Sequence, residues 1–213
     1  MRELIRDFVR ICTETLSLEG PIYEFGSFQV PGQEGFADLR ALFPGKQYVG
    51  ADMREGPGVD MVLDLHDIAL LANSVGTVLV MDTLEHVAFP HRAIEEVHRI
   101  TQPDGMAIIS SVMKMGIHAY PNDYWRFTPE GFKVLLRPFA DSLVSYAGTQ
   151  RFPHTVVGIG FKGHPPEMET LTTALAKWQA RWLVAHRESV LRKWTRKLKK
   201  SSRKRWDAFV HRT

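Results

Sequence analysis

Three short β-prone runs each stop on a polar residue, and this pattern narrows the fold more than any other feature. Pro21-Ile22-Tyr23-Glu24-Phe25-Gly26-Ser27 closes on an acid, a spacer and a glycine, then loosens into Phe28-Gln29-Val30-Pro31-Gly32. The run 46–53 (KQYVGADM) places Asp52 at its end, and 59–64 (VDMVLD) ends on Asp64. Buried strands that deliver polar groups to one edge describe a nucleotide-type pocket at the carboxyl ends of a parallel sheet.

The remaining stretches alternate in period. Leu4, Phe8, Ile11/Cys12 and Thr15/Leu16 recur at helical spacing over 2–17, and Glu19-Gly20-Pro21 ends that helix. Phe36, Leu39 and Phe43 predict a helix stopped by Pro44-Gly45, and 67–74 predict a short one. After a Gly56-Pro57-Gly58 turn and the third strand, 77–81 (TVLVM) is a continuous apolar run suited to burial on both faces. The Ile94, Val97, Ile100 stripe predicts a helix over 91–101, and 106–112 a fifth strand. Thr128-Pro129-Glu130 opens another helix, with Thr as N-cap and Pro in its first turn. Two β runs, 142–147 and 154–161, follow with only a turn between them. The alternation predicts an α/β class: a doubly wound, mostly parallel sheet with an antiparallel end.

Composition matters mainly for what it excludes. Cys12 is the only cysteine, so an internal disulfide and a cysteine-rich metal site are both ruled out. No apolar run approaches the ~20 residues of a membrane span, and the mixed-sign start lacks a signal-peptide core, so a cytoplasmic location is expected. The net charge of +3 hides a split: residues 161–213 carry 14 basic and 4 acidic side chains, against 13 and 20 in residues 1–160. That divides the expected organisation into a domain over 1–163 and a basic helical tail over 164–213.

Asp52 is the most readable pocket residue. Its two acceptor oxygens match the two hydroxyls of a ribose and would repel a 2′-phosphate, although a solvated turn aspartate would look the same. Gly26 ends the first strand where a side chain would block approach to the backbone. The dinucleotide pattern G-x-G-x-x-G fails because Phe28 stands at the second glycine, and no Walker A sequence occurs. Nothing here cradles a pyrophosphate, so the expected ligand is a nucleoside without phosphates.

With those residues in view, the chain resembles the class I S-adenosylmethionine-dependent methyltransferases, in particular bacterial members with a GSxQVPGQ-type loop and a YPxDYWRFTP segment. The likeness spans roughly residues 20–162 and implies a Rossmann-like sheet with S-adenosylmethionine as cofactor. It places Glu24, Phe25, Gly26 and Ser27 beside the methionine part, Asp52 on the ribose, Met53 against the adenine, and Asp64-Leu65 at the adenine edge. Residues 80–87 (VMDTLEHV) match the fourth motif, which brings Asp82 to the cofactor, and 101–106 (TQPDGM) match the turn usually written LKPGG. The family's usual G-x-G-x-G is reduced here to Gly26 followed by Ser27-Phe28.

Methyl transfer asks a protein to align the acceptor and exclude water, with a base if the acceptor is a hydroxyl. Candidates follow the fourth and fifth strands: Asp82, Glu85 and His86 in one group, and His118, Tyr120, Asp123, Tyr124, Trp125 and Arg126 in the other. His118 is the first choice as base, with Asp82 and His86 behind it. His118, Tyr120, Tyr124, Trp125 and Arg126 are expected to meet the acceptor as a polar, aromatic lid. The competing account is a structural loop, with Trp125 and Phe127 packed on the sheet and Arg126 paired to an acid. His66, His91 and His98 lack metal-type spacing, so no metal is expected.

Beyond Pro165-Pro166, Leu171, Leu175, Trp178 and Trp182 step along one helical face. Nine Lys/Arg and no acid lie between 192 and 205, and four of the five tryptophans fall beyond 177. This fits a basic helix packed on the domain or on a second copy in a homodimer, a helix docked on an anionic membrane through 178–206, or a nucleic-acid arm. The tryptophans favour the membrane over nucleic acid. The leading expectation is methylation of oxygen on a saccharide or other small hydroxylated acceptor. An RNA or protein methyltransferase recruited by the tail, or a catalytically silent cofactor-binding module, are the alternatives.

Overall fold

In the computed structural model, which describes residues 2–32, 35–118 and 121–183, one seven-stranded sheet organises the chain. Its strands are β1 (Ile22–Phe25), β2 (Tyr48–Asp52), β3 (Met61–Val62), β4 (Val75–Met81), β5 (Thr101–Val112), β6 (Asp141–Thr149) and β7 (Phe152–Phe161), in spatial order β3-β2-β1-β4-β5-β7-β6. β7 alone among them runs against its neighbours. The chain leaves β1 for β2 on one side and later returns to β4 on the other, so the crevice of the strand-order reversal lies at the carboxyl end of β1. Parallel register pairs Phe25 with both Ala51 and Val80, which brings Gly26, Asp52 and the residues after Met81 level at that edge.

Alternation along each strand feeds two cores. Val78 and Val80 of β4, with Ala107 and Ile109 of β5, pack under α2 (Pro90–Ile100) and α3 (Pro129–Leu135). Leu79, Met81 and Ile108 face the opposite layer, where α1 (Glu3–Thr15) buries Ile5, Phe8, Val9 and Cys12. All seven residues of β4 are buried, as its unbroken apolar run requires. Thr128 caps α3 by accepting from the Gly131 amide at 3.0 Å.

Two expected helices do not form. Residues 67–74 run as an irregular segment that buries Leu65 and Ile68. Its backbone groups are served by α2: the Arg99 guanidinium donates to the Ile68 and Leu70 carbonyls at 2.7 and 2.8 Å, and Glu96 accepts from the Ile68 amide at 2.9 Å. Around Phe36, Leu39 and Phe43 only a 3-10 turn at Arg40–Leu42 appears. Asp38 caps it by accepting from the Arg40 amide, and Pro44 follows too soon for a longer helix. The third strand is also shorter than the run that predicted it.

The first part of the tail belongs to the domain's core. A fourth helix, α4 (169–183), buries Leu171, Leu175 and Trp178 against α1. The Trp178 ring lies 5.8 Å from that of Phe8, and its indole N–H donates to the Leu4 carbonyl at 3.0 Å. Arg181 and the Trp182 indole both donate to Asp7. The expected domain boundary at 163 therefore falls before an element packed on α1. The basic run 192–205, Trp194 and Trp206 lie outside the described residues, and with them the membrane, nucleic-acid and homodimer expectations. No described helix is long and apolar enough to cross a membrane.

Candidate active site

At the sheet's carboxyl edge lies a cavity of about 440 Å³ lined by Glu24, Phe25, Gly26, Ser27, Asp52, Met53, Asp64, Leu65, Asp82, His86, His118 and Tyr124, among others. That volume is in the range of small-ligand pockets.

Gly26 sits at φ +84, and a Cβ there would lie 2.0 Å from Thr83 Oγ1. Both the left-handed backbone and the closeness of the β4 turn require glycine. Beneath it, Glu24 is buried and accepts from the Tyr48 hydroxyl at 2.6 Å. Burial lifts its carboxyl to about 7, against the Tyr48 hydrogen bond, which favours the ionised form. Asp52 accepts from the Arg54 amide and Nε at 3.0 and 3.2 Å. The Arg54 guanidinium also covers the Phe28 ring at 4.4 Å. Phe28, in place of a second glycine, is accommodated because position 56 is also glycine: a Cβ there would meet the ring at 2.3 Å. Asp64 accepts from the His66 amide and ring at 2.8 Å.

The turn after β4 supplies the other wall. Asp82, at φ +48, is held by Arg2, whose Nε and second terminal nitrogen reach its two oxygens at 3.0 and 2.7 Å. Ser110 donates to the same carboxylate at 3.0 Å. Arg2 also contacts Thr155, so it ties the start of α1 to β4 and β7. With Arg2 and Ser110 engaged on its oxygens, Asp82 is better suited to fixing this turn than to meeting an acceptor. Glu85 is 1% exposed; Ser111 donates to its Oε2 at 2.6 Å, while its Oε1 has no hydrogen-bond partner among the described residues. Burial, and then the charge of Asp82, push its carboxyl upward.

His86 and His118 meet edge to face, ring centroids 4.8 Å apart. His86 Nδ1 lies 2.5 Å from the Asn122 carbonyl, and His118 Nδ1 lies 3.2 Å from the Gly116 carbonyl and 3.3 Å from Asp123 Oδ2. Each of these partners can only accept, so both rings present an N–H at Nδ1, and Nε2 takes no part in these contacts. Glu85, His86 and His118 each offer a donor atom, all within 4.8 Å of one another.

The loop after β5 divides the residues expected on the acceptor. His118 and Tyr124 line the cavity, whereas Trp125 and Arg126 do not. Arg126 is spent inside the loop, donating to Asp123 at 2.5 and 2.6 Å and to the Gly116 carbonyl at 3.0 Å. That pairing holds Asp123 well below the usual carboxylate range. The Trp125 indole donates to the Val87 carbonyl at 3.0 Å, and its ring lines an outer groove with Phe89 and Val134. Tyr120 lies outside the described residues. Arg2 and Arg54 were not singled out in sequence; only the adjacency of Arg54 to Asp52 hints at its place.

Residues 38–109 match the family described as a methyltransferase domain. That segment runs from before β2 into β5, so over the part of the sheet that carries Asp52, Asp64 and Asp82 the chain is similar to a methyltransferase domain. Solved structures with this fold include an S-adenosylmethionine-dependent methyltransferase from Archaeoglobus fulgidus, 14% identical, covering 76% of this chain and 95% of that one at a TM-score of 0.57. Another, from Thermotoga maritima, is described as a possible histamine N-methyltransferase: 18% identity, 75% and 89% coverage, TM-score 0.55. A chain of the Haloferax volcanii complex containing the Trm112 methyltransferase activator is 16% identical, with 74% and 90% coverage and a TM-score of 0.52. At such identities the likeness shows the fold. No curated protein matches this sequence significantly.

Proposed function

We propose that this methyltransferase methylates oxygen on a saccharide or another small hydroxylated acceptor. The observation that carries this reading is that the Glu85–His86–His118 cluster lines the same cavity as Gly26, Asp52 and Asp64. The residues fit the cofactor: a glycine whose Cβ the turn could not admit, a carboxylate at the end of β2 for ribose hydroxyls, and a second acid beyond β3 for the adenine edge. When bound, the cofactor supplies an electrophilic methyl carbon on a sulfonium. His118 Nε2, on the cavity wall, would take the acceptor's hydroxyl proton. Tyr124 and His86 border the acceptor's space, and the Asp123–Arg126 pair holds the loop that presents His118.

Transfer of labelled methyl to a panel of monosaccharides and phenols tests this. His118→Asn is expected to lower turnover by about 10²–10⁴ while affinity for the demethylated cofactor persists. Turnover within a few-fold of wild type would remove His118 as base. A second reading, methylation of a protein or RNA with a partner subunit, draws on the activator complex among the similar folds and on the exposed Phe89, Trp125 and Val134 around the outer groove. Label entering macromolecules and none of the small acceptors would favour it.

A further inference from the structure

We propose that Glu85, His86 and His118 form a binding site for a divalent first-row transition-metal ion beside the methyl-transfer cavity. Three independent features point to it. The first is the donor set, two imidazoles and a carboxylate with ligand atoms within 4.8 Å of one another. Bonds of about 2.0–2.2 Å set ligand atoms about 3–3.5 Å apart, so the three side chains must draw together by about 1–2 Å to close around an ion. The second is Glu85 Oε1, buried and without a partner among the described residues, although its sister oxygen is held by Ser111. A buried, unpaired carboxylate oxygen is costly to keep, and a cation would satisfy it. The third is the arrangement behind the rings. Each histidine gives its Nδ1–H to a fixed acceptor, the Asn122 carbonyl for one and the Gly116 carbonyl with Asp123 for the other. That is the outer-shell support that metal-ligating histidines need, and it leaves Nε2 as the ligand atom.

Two imidazoles disfavour magnesium and calcium, and one carboxylate without thiolates suits manganese, iron, cobalt, nickel or zinc. Three protein ligands leave coordination positions for an acceptor oxygen. An ion there lowers the pKa of that hydroxyl, which gives its proton to water and keeps its electron pair for the methyl carbon. This rests on the oxygen-methylation reading above and changes how the hydroxyl is activated: His118 then acts as a ligand in place of a base. The site departs from the expectation of no metal, which rested on the lack of metal-type spacing at His66, His91 and His98; none of these takes part in the cluster. His86 and His118 come from different loops, so no linear spacing announces them.

Cobalt(II) is the probe. The full chain, stripped with a chelator, is titrated while visible absorption and equilibrium dialysis are followed. One equivalent should bind, with d–d bands that shift when an imidazole ligand is lost. His118→Ala and Glu85→Gln should each weaken binding by at least the ~10–100-fold that loss of an outer-shell partner alone brings. Circular dichroism confirms that each variant is folded, and calorimetry with S-adenosylhomocysteine on the same stripped samples reads the cofactor site separately. Absence of saturable cobalt binding, or equal affinity in wild type and both variants, overturns the metal site. If cofactor binding and chelator-resistant turnover remain in that case, the methyltransferase reading stands without it. Cobalt binding that both variants weaken, with no cofactor affinity, would uphold the metal site and sink the functional reading.

Discussion

Replacing Gly26 by alanine tests the local geometry on which the cofactor edge depends. Two costs can be read from the structure. The backbone at φ +84 penalises any Cβ by about 1–2 kcal/mol. The new methyl would also stand 2.0 Å from Thr83 Oγ1 and 2.9 Å from its Cγ2, so the β4 turn must move. Overpacking of this kind costs about 1–3 kcal/mol. Together, Gly26→Ala should lose about 2–5 kcal/mol, a large share of the ~5–15 kcal/mol expected for a domain. The two costs separate in a double-mutant cycle. Thr83→Ala deletes the two closest atoms but keeps its Cβ at 3.0 Å, so in that background Gly26→Ala should cost its backbone part and a remnant of the clash, with a coupling of about 1–2 kcal/mol. Urea denaturation of the four proteins measures this directly. A loss below ~0.5 kcal/mol for Gly26→Ala, or strictly additive losses in the cycle, would refute the steric argument.

Glu24 should make stability fall as pH rises. Its folded carboxyl titrates near 7 against an ordinary 4.5, so the folded state holds an extra proton between these values and loses stability across that window, flat below 4.5 and again above 7. Glu24→Gln should abolish this component, and its stability relative to wild type should rise by about 2–3 kcal/mol from pH 4.5 to pH 8; a pH-independent difference would contradict the buried-carboxyl account. Trp178→Ala should destabilise by about 3–5 kcal/mol, because α4 would lose its ring contact with Phe8 and its hydrogen bond to Leu4. A change below ~1 kcal/mol in urea denaturation would mean that α4 is separable after all.

The gathering of strand ends at one edge of the sheet was legible because strand-end chemistry is local. Glu24, Gly26 and Asp52 follow short apolar runs, and parallel register alone brings such ends level. What could not be read depended on partners distant in sequence. The 67–74 segment has enough apolar residues for a helix, but Arg99 and Glu96 take its backbone groups and hold it irregular. Trp125 and Arg126 carry binding chemistry in a polar loop, yet one is drawn to the Val87 carbonyl and the other to Asp123. Pairing of Arg126 with an acid was the competing expectation, and only the folded loop decides between the two. The same holds for Arg2 on Asp82, and for the junction of His86 with His118, since each depends on where two loops or a chain end meet. Conversely, the Leu171, Leu175, Trp178 stripe was visible, and the hydrophobic faces of α1 and the sheet decided what it covers.

The most direct test of the central claim is calorimetric titration of the full chain with S-adenosylhomocysteine, alongside Asp52→Ala and with nicotinamide adenine dinucleotide as the control ligand. The account predicts one saturable site, weakened by ~1–3 kcal/mol when the Asp52 carboxylate no longer pairs ligand hydroxyls, and no comparable affinity for the dinucleotide. Unchanged affinity in Asp52→Ala would remove that residue from the site. Equal binding of the dinucleotide, or no binding of S-adenosylhomocysteine, would contradict the account.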